Sequence, residues 1–227
     1  MTPPGRCVVL VPVGHHVEPD CEQGLRALEA RGYEVRRVRG YAAIDQARSQ
    51  MATDALADGF DELLWIDADI VFDPDDVERL RAWELPVVGG IYPKKNARAL
   101  ACHLLEGTTK VRFGGHGGLL EVRYAPTGFL LTRRAVYERI ADGLPVCNQR
   151  FEAPTVPYFL PLVVPDGDGH WYLGEDFAFC ERARRAGFPI MADTTIRLWH
   201  VGTYRYGWED AGSTPDRYSD YDFSIWS

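Results

Sequence analysis

Leu63-Leu64-Trp65-Ile66-Asp67-Ala68-Asp69 is a run of four apolar residues that passes directly into two acids. A short continuous apolar run of this kind is a strand buried on both faces. In an extended strand, carboxylates at i and i+2 point the same way. Just past the carboxyl end of a strand, they stand where open α/β sheets bind ligands. Two hard oxygen ligands there suit Mg²⁺ or Mn²⁺ bridging to a diphosphate. The D-x-D spacing recurs at 73/75, 166/168 and 220/222. Only the 67/69 pair directly follows an apolar strand, so the other three read as surface acids.

Upstream, Cys7–Val13 is another unbroken apolar run and predicts a first strand. Pro19–Arg31 predicts a helix stopped at Gly32, and Tyr33–Val38 a second strand. Ile44, Ala47, Met51, Ala52, Ala55 and Leu56 recur at helical spacing up to Gly59. Downstream, Pro74 opens a helix over Asp75–Trp83, and Pro86–Ile91 is the next strand. Residues 1–92 therefore alternate strand and helix, the pattern of a nucleotide-binding α/β layer with a largely parallel sheet. The second half predicts short strands at Ala99–Leu105, Val111–Phe113, Leu119–Tyr124, Phe129–Thr132 and Ile196–Val201. Helices are expected at Arg134–Ile140 and Gly174–Arg185. Residues 143–170 hold five prolines and predict a long irregular loop. From Gly202 on, the chain is rich in aromatics (Tyr204, Tyr206, Trp208, Tyr218, Tyr221, Phe223, Trp226).

The 227 residues suit a single domain, 46% hydrophobic and 26% charged. A formal charge of −8 disfavours a nonspecific hold on nucleic acid or anionic membrane. No stretch approaches 18 apolar residues, so no membrane span is expected. The apolar run at Cys7–Val13 is too short for a signal peptide core. Five scattered cysteines, none in C-x-x-C spacing, suit reduced thiols and a cytoplasmic location.

Four other features bear on chemistry. Gly174-Glu175-Asp176 opens a helix, where acids are favoured by the macrodipole and could also accept a proton. His200 ends a strand; it is a structural histidine or a third metal ligand beside the acids. Asp45 and Arg48 at i, i+3 form a surface ion pair, or Arg48 reaches a phosphate or base. Gly89-Gly90-Ile91-Tyr92-Pro93-Lys94-Lys95 offers backbone approach and cations to a ligand, or a plain turn.

Taken in order, the pieces resemble the GT-A-type glycosyltransferases that carry a DxD motif. The resemblance runs from Ile44-Asp45-Gln46-Ala47-Arg48 through Asp67-Ala68-Asp69 and Val88-Gly89-Gly90-Ile91-Tyr92. It continues in Ala125-Pro126-Thr127-Gly128-Phe129-Leu130-Leu131 and Gly174-Glu175-Asp176-Phe177-Ala178-Phe179-Cys180, and ends at Trp199-His200-Val201-Gly202. It implies a single GT-A-like (Rossmann-like) α/β domain, with a mixed, mainly parallel sheet flanked by helices. Residues 1–95 would form the nucleotide-sugar-binding half and 96–227 the acceptor-binding half.

The resemblance also implies roles. Asp69 and His200 would hold a divalent metal (Mn²⁺ or Mg²⁺), with Asp67 near the ribose or donor sugar and sharing the metal. Backbone groups of Pro12 and Val13 would hold the base, and Arg48 the nucleotide or diphosphate. Asp45, Ala68, Gly90, Tyr92 and Gly128 would belong to the nucleotide-sugar contacts, with Gly128 lining the donor-sugar pocket. Asp176 would be the catalytic base of an inverting transfer from a UDP- or GDP-sugar, and Glu175 would position the acceptor. Ser49 stands where many relatives carry Asn. The acceptor is open: a small molecule, a protein, a polysaccharide or a modified nucleic-acid base. Asp67, Asp69, Glu175 and Asp176 in one cleft would repel a diphosphate unless a cation came first.

Two readings from other classes compete. Ile66-Asp67-Ala68-Asp69 is similar to the first motif of haloacid-dehalogenase-like phosphatases, but here two strands and two helices come first. A non-catalytic sugar- or metal-binding module would bind without releasing a nucleotide. A sugar-nucleotide pyrophosphorylase shares the sheet type but would need a glycine- and arginine-rich first loop, which is missing.

Overall fold

The computed structural model describes residues 5–212 and 220–225; Tyr218 and Trp226 of the aromatic tail lie outside them. The first half runs β1 (Cys7–Pro12), α1 (Pro19–Ala30), β2 (Glu34–Val38), α2 (Ile44–Ala57), β3 (Glu62–Ile66), β4 (Ile70–Val71), α3 (Pro74–Ala82) and β5 (Val87–Gly89). The chain continues through β6 (His103–Leu104), β7 (Lys110–Phe113), β8 (Leu119–Tyr124), β9 (Phe129–Arg133), α4 (Arg134–Ala141), β10 (Leu162–Asp166), β11 (Gly169–Leu173) and α5 (Glu175–Arg185). It ends with β12 (Ile190–Asp193), β13 (Trp199–Val201), β14 (Arg205–Tyr206) and β15 (Tyr221–Ser224).

Alternate residues of β1 and β3 enter two separate cores. Val8, Leu10, Leu63 and Trp65 face one, while Cys7, Val9, Val11, Leu64 and Ile66 face the other. A strand covered on both faces needs apolar residues throughout, which is why these runs do not alternate. Helices α1 and α3 cover one face through Cys21, Leu25, Leu28, Val77 and Leu80. Helices α2, α4 and α5 cover the other through Met51, Ala52, Tyr137, Ile140 and Phe179. The helix signals are local chemistry. In α3 the Asp73 side chain caps the Asp75 amide at 2.9 Å, Pro74 opens the first turn, and Arg79 and Arg81 close the last.

The eight-stranded sheet has the order β2-β1-β3-β9-β5-β12-β8-β6. Six of its strands run one way; β9 and β8 run against them. This is the mixed α/β, single-domain architecture expected from the pattern. Strand partners differ from a simple parallel ladder: β9 inserts between β3 and β5, antiparallel to both.

Other local expectations shift. The strand expected over Ala99–Leu105 shrinks to His103–Leu104, with a single bridge from Leu100 to Pro93. Within Ile196–Val201 only Trp199–Val201 is strand. Strand β12, a short central one, has no counterpart in the sequence pattern. The long loop ends in a hairpin, β10 paired with β11, that the prolines had hidden. Its Pro165 sits in a two-stranded ribbon, where a missing N–H costs little. The described part of the tail packs onto β7: Trp208 and Tyr221 stack on Phe113 at 4.9 and 6.2 Å. No helix among the described residues is long and apolar enough to cross a membrane.

Candidate active site

From β1 the chain crosses to β2 on one side and returns to β3 on the other. That is a topological switch point, and ligands bind in the crevice outside the carboxyl ends of such strands. A cavity of about 490 Å³ lies there. Pro12 forms one wall, Ile44 and Arg48 of α2 a second, and Asp67, Ala68 and Asp69 the floor. Lys95, Glu175 and His200 close it from the second half of the chain.

The two acids do not share an extended strand. β3 stops at Ile66, and Asp67 to Ile70 is a turn closed by the Ile70 amide on the Asp67 carbonyl at 3.1 Å. It is this turn that brings both carboxylates to the cavity. It is tied on two sides, by the Glu18 amide on Ala68 O and the Val201 amide on Asp69 O, each at 2.8 Å. His200 reaches Asp69 because β13 pairs antiparallel with β4 immediately after the turn.

The inserted strand β9 supplies the layer behind. The Asp67 amide donates to Gly128 O at 3.0 Å, and the Gly128 amide donates to the Tyr92 hydroxyl at 3.0 Å. A Cβ at Gly128 would collide with that hydroxyl and come within 2.8 Å of Asp67 Oδ2. Burial, and then the Asp67 charge, hold the Tyr92 hydroxyl well above its ordinary pKa, so it stays protonated. Tyr92 and Gly128 thus position Asp67 from beneath and are not among the residues lining the cavity. Gly90 also serves packing: a Cβ there would lie 2.5 Å from Leu198 Cδ1. Val13 is buried, with its amide donating to Val38 O at 2.8 Å. Asp45 faces a second cavity on the flank of α2.

Arg48 dominates the electrostatics. Its side chain is only 4% exposed, with Nη2 donating to Asp67 Oδ1 at 2.9 Å and Nε 3.7 Å from Glu175 Oε1. Burial works against its charge, but Asp67, Glu175 and Asp176 outweigh it and raise its pKa. Its Nε and Nη1 are buried without a hydrogen-bond partner. Such orphaned donors are costly, and a charged one signals a missing anionic partner. Glu175 lies on the cavity wall, whereas Asp176 sits half-buried behind it with Oδ1 accepting from the Phe177 amide at 2.7 Å. Burial, and next the Glu175 carboxylate, push Asp176 up to about 6.

Lys95 is the residue the motifs left unplaced. Its ammonium donates to Asp69 Oδ2 at 2.5 Å. So both acids of the D-x-D already hold a cation of the chain: Asp67 has Arg48, and Asp69 has Lys95. The expectation of an uncompensated acidic cleft is corrected to that extent. The signal was in the sequence, since Lys94-Lys95 holds two of only three lysines. By contrast, Arg133, Arg134 and Arg139 are spent in ion pairs with Glu62, Asp61 and Asp142 at 2.5, 3.1 and 3.4 Å.

The donor set fits a divalent cation in its chemistry. His200 Nδ1 lies 2.9 Å from the Pro93 carbonyl, which can only accept, so Nδ1 carries the proton. Burial lowers the His200 pKa, so the ring is neutral at pH 7. Its bare Nε2 then faces Asp69 Oδ1 at 3.7 Å, two acceptors that favour a cation between them. Among the described residues, no three His, Cys, Asp or Glu side chains converge tightly enough to cage an ion alone. Substrate oxygens would have to complete the shell, as is usual for Mg²⁺.

No protein-family model matches the chain, and no curated protein matches it in sequence. Solved structures do. A197 from STIV matches with a TM-score of 0.56 at 19% identity, over 87% of this chain and 86% of A197. The two share a fold. GalNAc-T7, solved with UDP, GalNAc and Mn²⁺, aligns over 88% of this chain and 44% of its own, at 12% identity and TM-score 0.45. S. aureus TarS 1–349 in complex with UDP-GlcNAc aligns over 83% and 56%, at 12% identity and TM-score 0.43.

Proposed function

We propose that this chain is a GT-A-like glycosyltransferase that moves a sugar from a UDP- or GDP-sugar to an acceptor hydroxyl, with inversion. The observation that carries this reading is Arg48: a buried guanidinium with two unpartnered nitrogens, beside the D-x-D acids, on the wall of a switch-point cavity. A diphosphate supplies the acceptor oxygens those N–H groups lack. Residues 1–95 would carry most of the donor contacts, including backbone groups around Pro12 and Val13 for the base, Asp67 near the ribose or donor sugar, and Ala68. Residues 96–227, together with the flank of α2 that they pack against, would carry the acceptor.

Asp69 and His200 would hold a divalent ion, Mn²⁺ or Mg²⁺, together with diphosphate oxygens; when bound it offsets charge on the departing diphosphate. The chain's own groups do the rest. Arg48 holds Asp67 in place through its Nη2 and offers its unpartnered N–H groups to the phosphates. Lys95 can exchange Asp69 for a phosphate oxygen, since its ammonium is already at the cavity. Glu175 orients the acceptor hydroxyl from the wall. That oxygen bonds to the anomeric carbon as the bond to the diphosphate breaks, and its proton passes to Asp176. A carboxylate with a pKa near 6 is ionised at neutral pH and a better base than an ordinary one.

A thermal-shift panel of UDP, GDP, ADP and their sugars, with and without Mn²⁺, tests the reading. At a hundredfold excess over Kd, a stabilising nucleotide should raise Tm by about 5–10 °C. No shift with any nucleotide, with or without Mn²⁺, would overturn it.

A further inference from the structure

We infer that the second cavity, on the flank of α2 away from Arg48, is a saccharide subsite that holds the acceptor, so that the acceptor is a neutral glycan. This rests on the glycosyl-transfer reading and names its second substrate.

The cavity, about 330 Å³, lies between the first turns of α2 and the proline-rich loop. It sits near the lower end of the roughly 300–1,000 Å³ typical of small-molecule sites, room for a sugar residue or two. Its wall is built, not incidental. The loop closes on itself through paired Cys147 and Thr155 backbones at 2.8 and 3.0 Å. It is fastened to α2 by the Phe159 amide on Ser49 Oγ at 3.2 Å, the Val156 amide on Thr53 Oγ1 at 3.0 Å, and the Thr155 hydroxyl on Gln50 Oε1. The same loop meets α5, where Arg182 Nη1 donates to Tyr158 O at 3.4 Å. The cavity is therefore flanked by the helix that carries Arg48 and tied to the helix that opens with Glu175 and Asp176.

The positions along α2 place it next to the donor cavity. Ile44 and Arg48 line one; their chain neighbours Asp45 and Ser49 line the other. An acceptor held at Asp45 is thus one residue along the helix from the wall of the donor site.

The lining chemistry selects the ligand. Asp45 carries its only charge, and no Lys, Arg or His is present. A phosphorylated or nucleic-acid acceptor would meet an uncompensated carboxylate and no cation. The side chains of Asp45, Gln46 and Tyr41 make no hydrogen bond within the described residues. A carboxylate and an amide side by side pair well with adjacent sugar hydroxyls, which both donate and accept. Tyr41, 42% exposed, and Leu160, 48% exposed, offer apolar surface for the C–H face of the ring. Apolar walls with a few unspent polar groups are the pattern of a small-molecule site.

Saturation-transfer NMR on the full chain, with cellobiose, lactose and maltose as neutral probes and glucose 6-phosphate and a dinucleotide as charged ones, tests the assignment. UDP binding is followed in parallel by thermal shift. At least one neutral disaccharide should bind and the charged probes should not. Tyr41→Ala and Gln46→Ala, both at exposed or rim positions, should each weaken that binding about fivefold, the loss of one good contact, and leave UDP binding intact. A wild type that binds UDP but none of the neutral probes overturns the subsite and leaves the donor reading standing. Preference for a charged probe overturns it as well. Saccharide binding without any nucleotide binding overturns the acceptor role together with glycosyl transfer.

Discussion

Lys95→Met should tighten the binding of Mn²⁺ to the nucleotide-free protein. The ammonium lies 2.5 Å from Asp69 Oδ2, with the two side chains 30% and 34% exposed. A pair this open to water is worth up to about 1 kcal/mol. A divalent ion that takes the same carboxylate must break it, so removing the ammonium returns that energy, about fivefold in Kd. Repulsion between a dication and an ammonium left nearby acts in the same direction. Methionine keeps the apolar stem, whose Cδ lies 3.1 Å from where a Cβ of Gly202 would stand, so packing is preserved. Calorimetric titration of Mn²⁺ at low salt reads the change. The sign should reverse for UDP in the presence of saturating Mn²⁺, because the displaced ammonium is then a phosphate ligand; a loss of about fivefold is expected there. Unchanged or weaker Mn²⁺ binding by Lys95→Met would refute the idea that Lys95 occupies the ion's place. If neither protein binds Mn²⁺, the metal role of Asp69 and His200 fails with it.

Asp176→Asn separates stability from turnover. Because the folded chain holds this proton up to about pH 6 against an ordinary 3.8, stability falls as pH rises through that window. The variant should be more stable than wild type at pH 8, by on the order of 2 kcal/mol, and lose that advantage toward pH 4. Transfer by the wild type should rise with pH through an inflection near 6, and the variant should bind UDP without transferring. Gly128→Ala, which drives a methyl into the Tyr92 hydroxyl and toward Asp67 Oδ2, should cost about 1–3 kcal/mol in denaturant unfolding and at least about tenfold in donor affinity. Tyr137→Phe is a control that leaves the lining of the donor cavity unchanged. The Tyr137 hydroxyl accepts from Trp65 Nε1 at 2.9 Å and donates to Thr132 Oγ1 at 2.8 Å, so its loss strands a buried indole N–H for about 1–3 kcal/mol while UDP binding stays unchanged.

What could be read in advance was whatever neighbours in sequence determine. The run Leu63–Ile66 had to be a two-faced strand, and Pro74 after Asp73 had to open a helix, because burial and capping act over a few residues. Strand partners depend on loop closure and on the other strands, which is why β9 between β3 and β5 was invisible, although its Gly128 was singled out by motif. β12 is four residues, Ile190–Asp193, directly after Pro189, too short for a period to show. The β10–β11 hairpin did leave a signal: Asp166-Gly167-Asp168-Gly169, a D-G turn between apolar runs, with Gly167 at φ +55°. Pro161 and Pro165 masked it. The site divides along the same line. The acids and His200 stood out as residue types at strand ends, but the pairing of β13 with β4 that joins them is nonlocal. Tyr92 and Gly90 carry motif positions yet act from beneath or through packing, a distinction that only side-chain direction settles.

The charge of the cleft gains a different meaning once Arg48 and Lys95 are placed in it. The carboxylates Glu18, Asp67, Asp69 and Glu175 line the cavity, Asp176 lies behind Glu175, and Arg48 and Lys95 are set against them, with His200 neutral. The acids outnumber the two cations, so the cleft is net anionic and a divalent ion relieves it. On the proposed function this sets an order of events. Without donor, Lys95 stays on Asp69 and the cleft is tolerable to the fold. A divalent ion that replaces it on Asp69 releases an ammonium at the same rim where a diphosphate must settle, and the diphosphate brings the negative charge that both cations then share. Arg48 cannot move in the same way: it is 4% exposed, and withdrawing it would leave Asp67 and Glu175 without their partner in a dry site, which costs several kcal/mol. The fixed cation therefore holds the acids and the mobile one answers the substrate. Exchanging their characters should expose this. Arg48→Lys keeps a charge near Asp67 but gives up the planar fork and its unpartnered nitrogens, so UDP binding should fall by at least tenfold, about 1.4 kcal/mol, with the fold retained by circular dichroism. Lys95→Arg keeps a mobile charge at the rim and should bind UDP within about threefold of wild type. Equal losses in the two variants would mean that the two cations are interchangeable and that the burial of Arg48 has no bearing on donor binding.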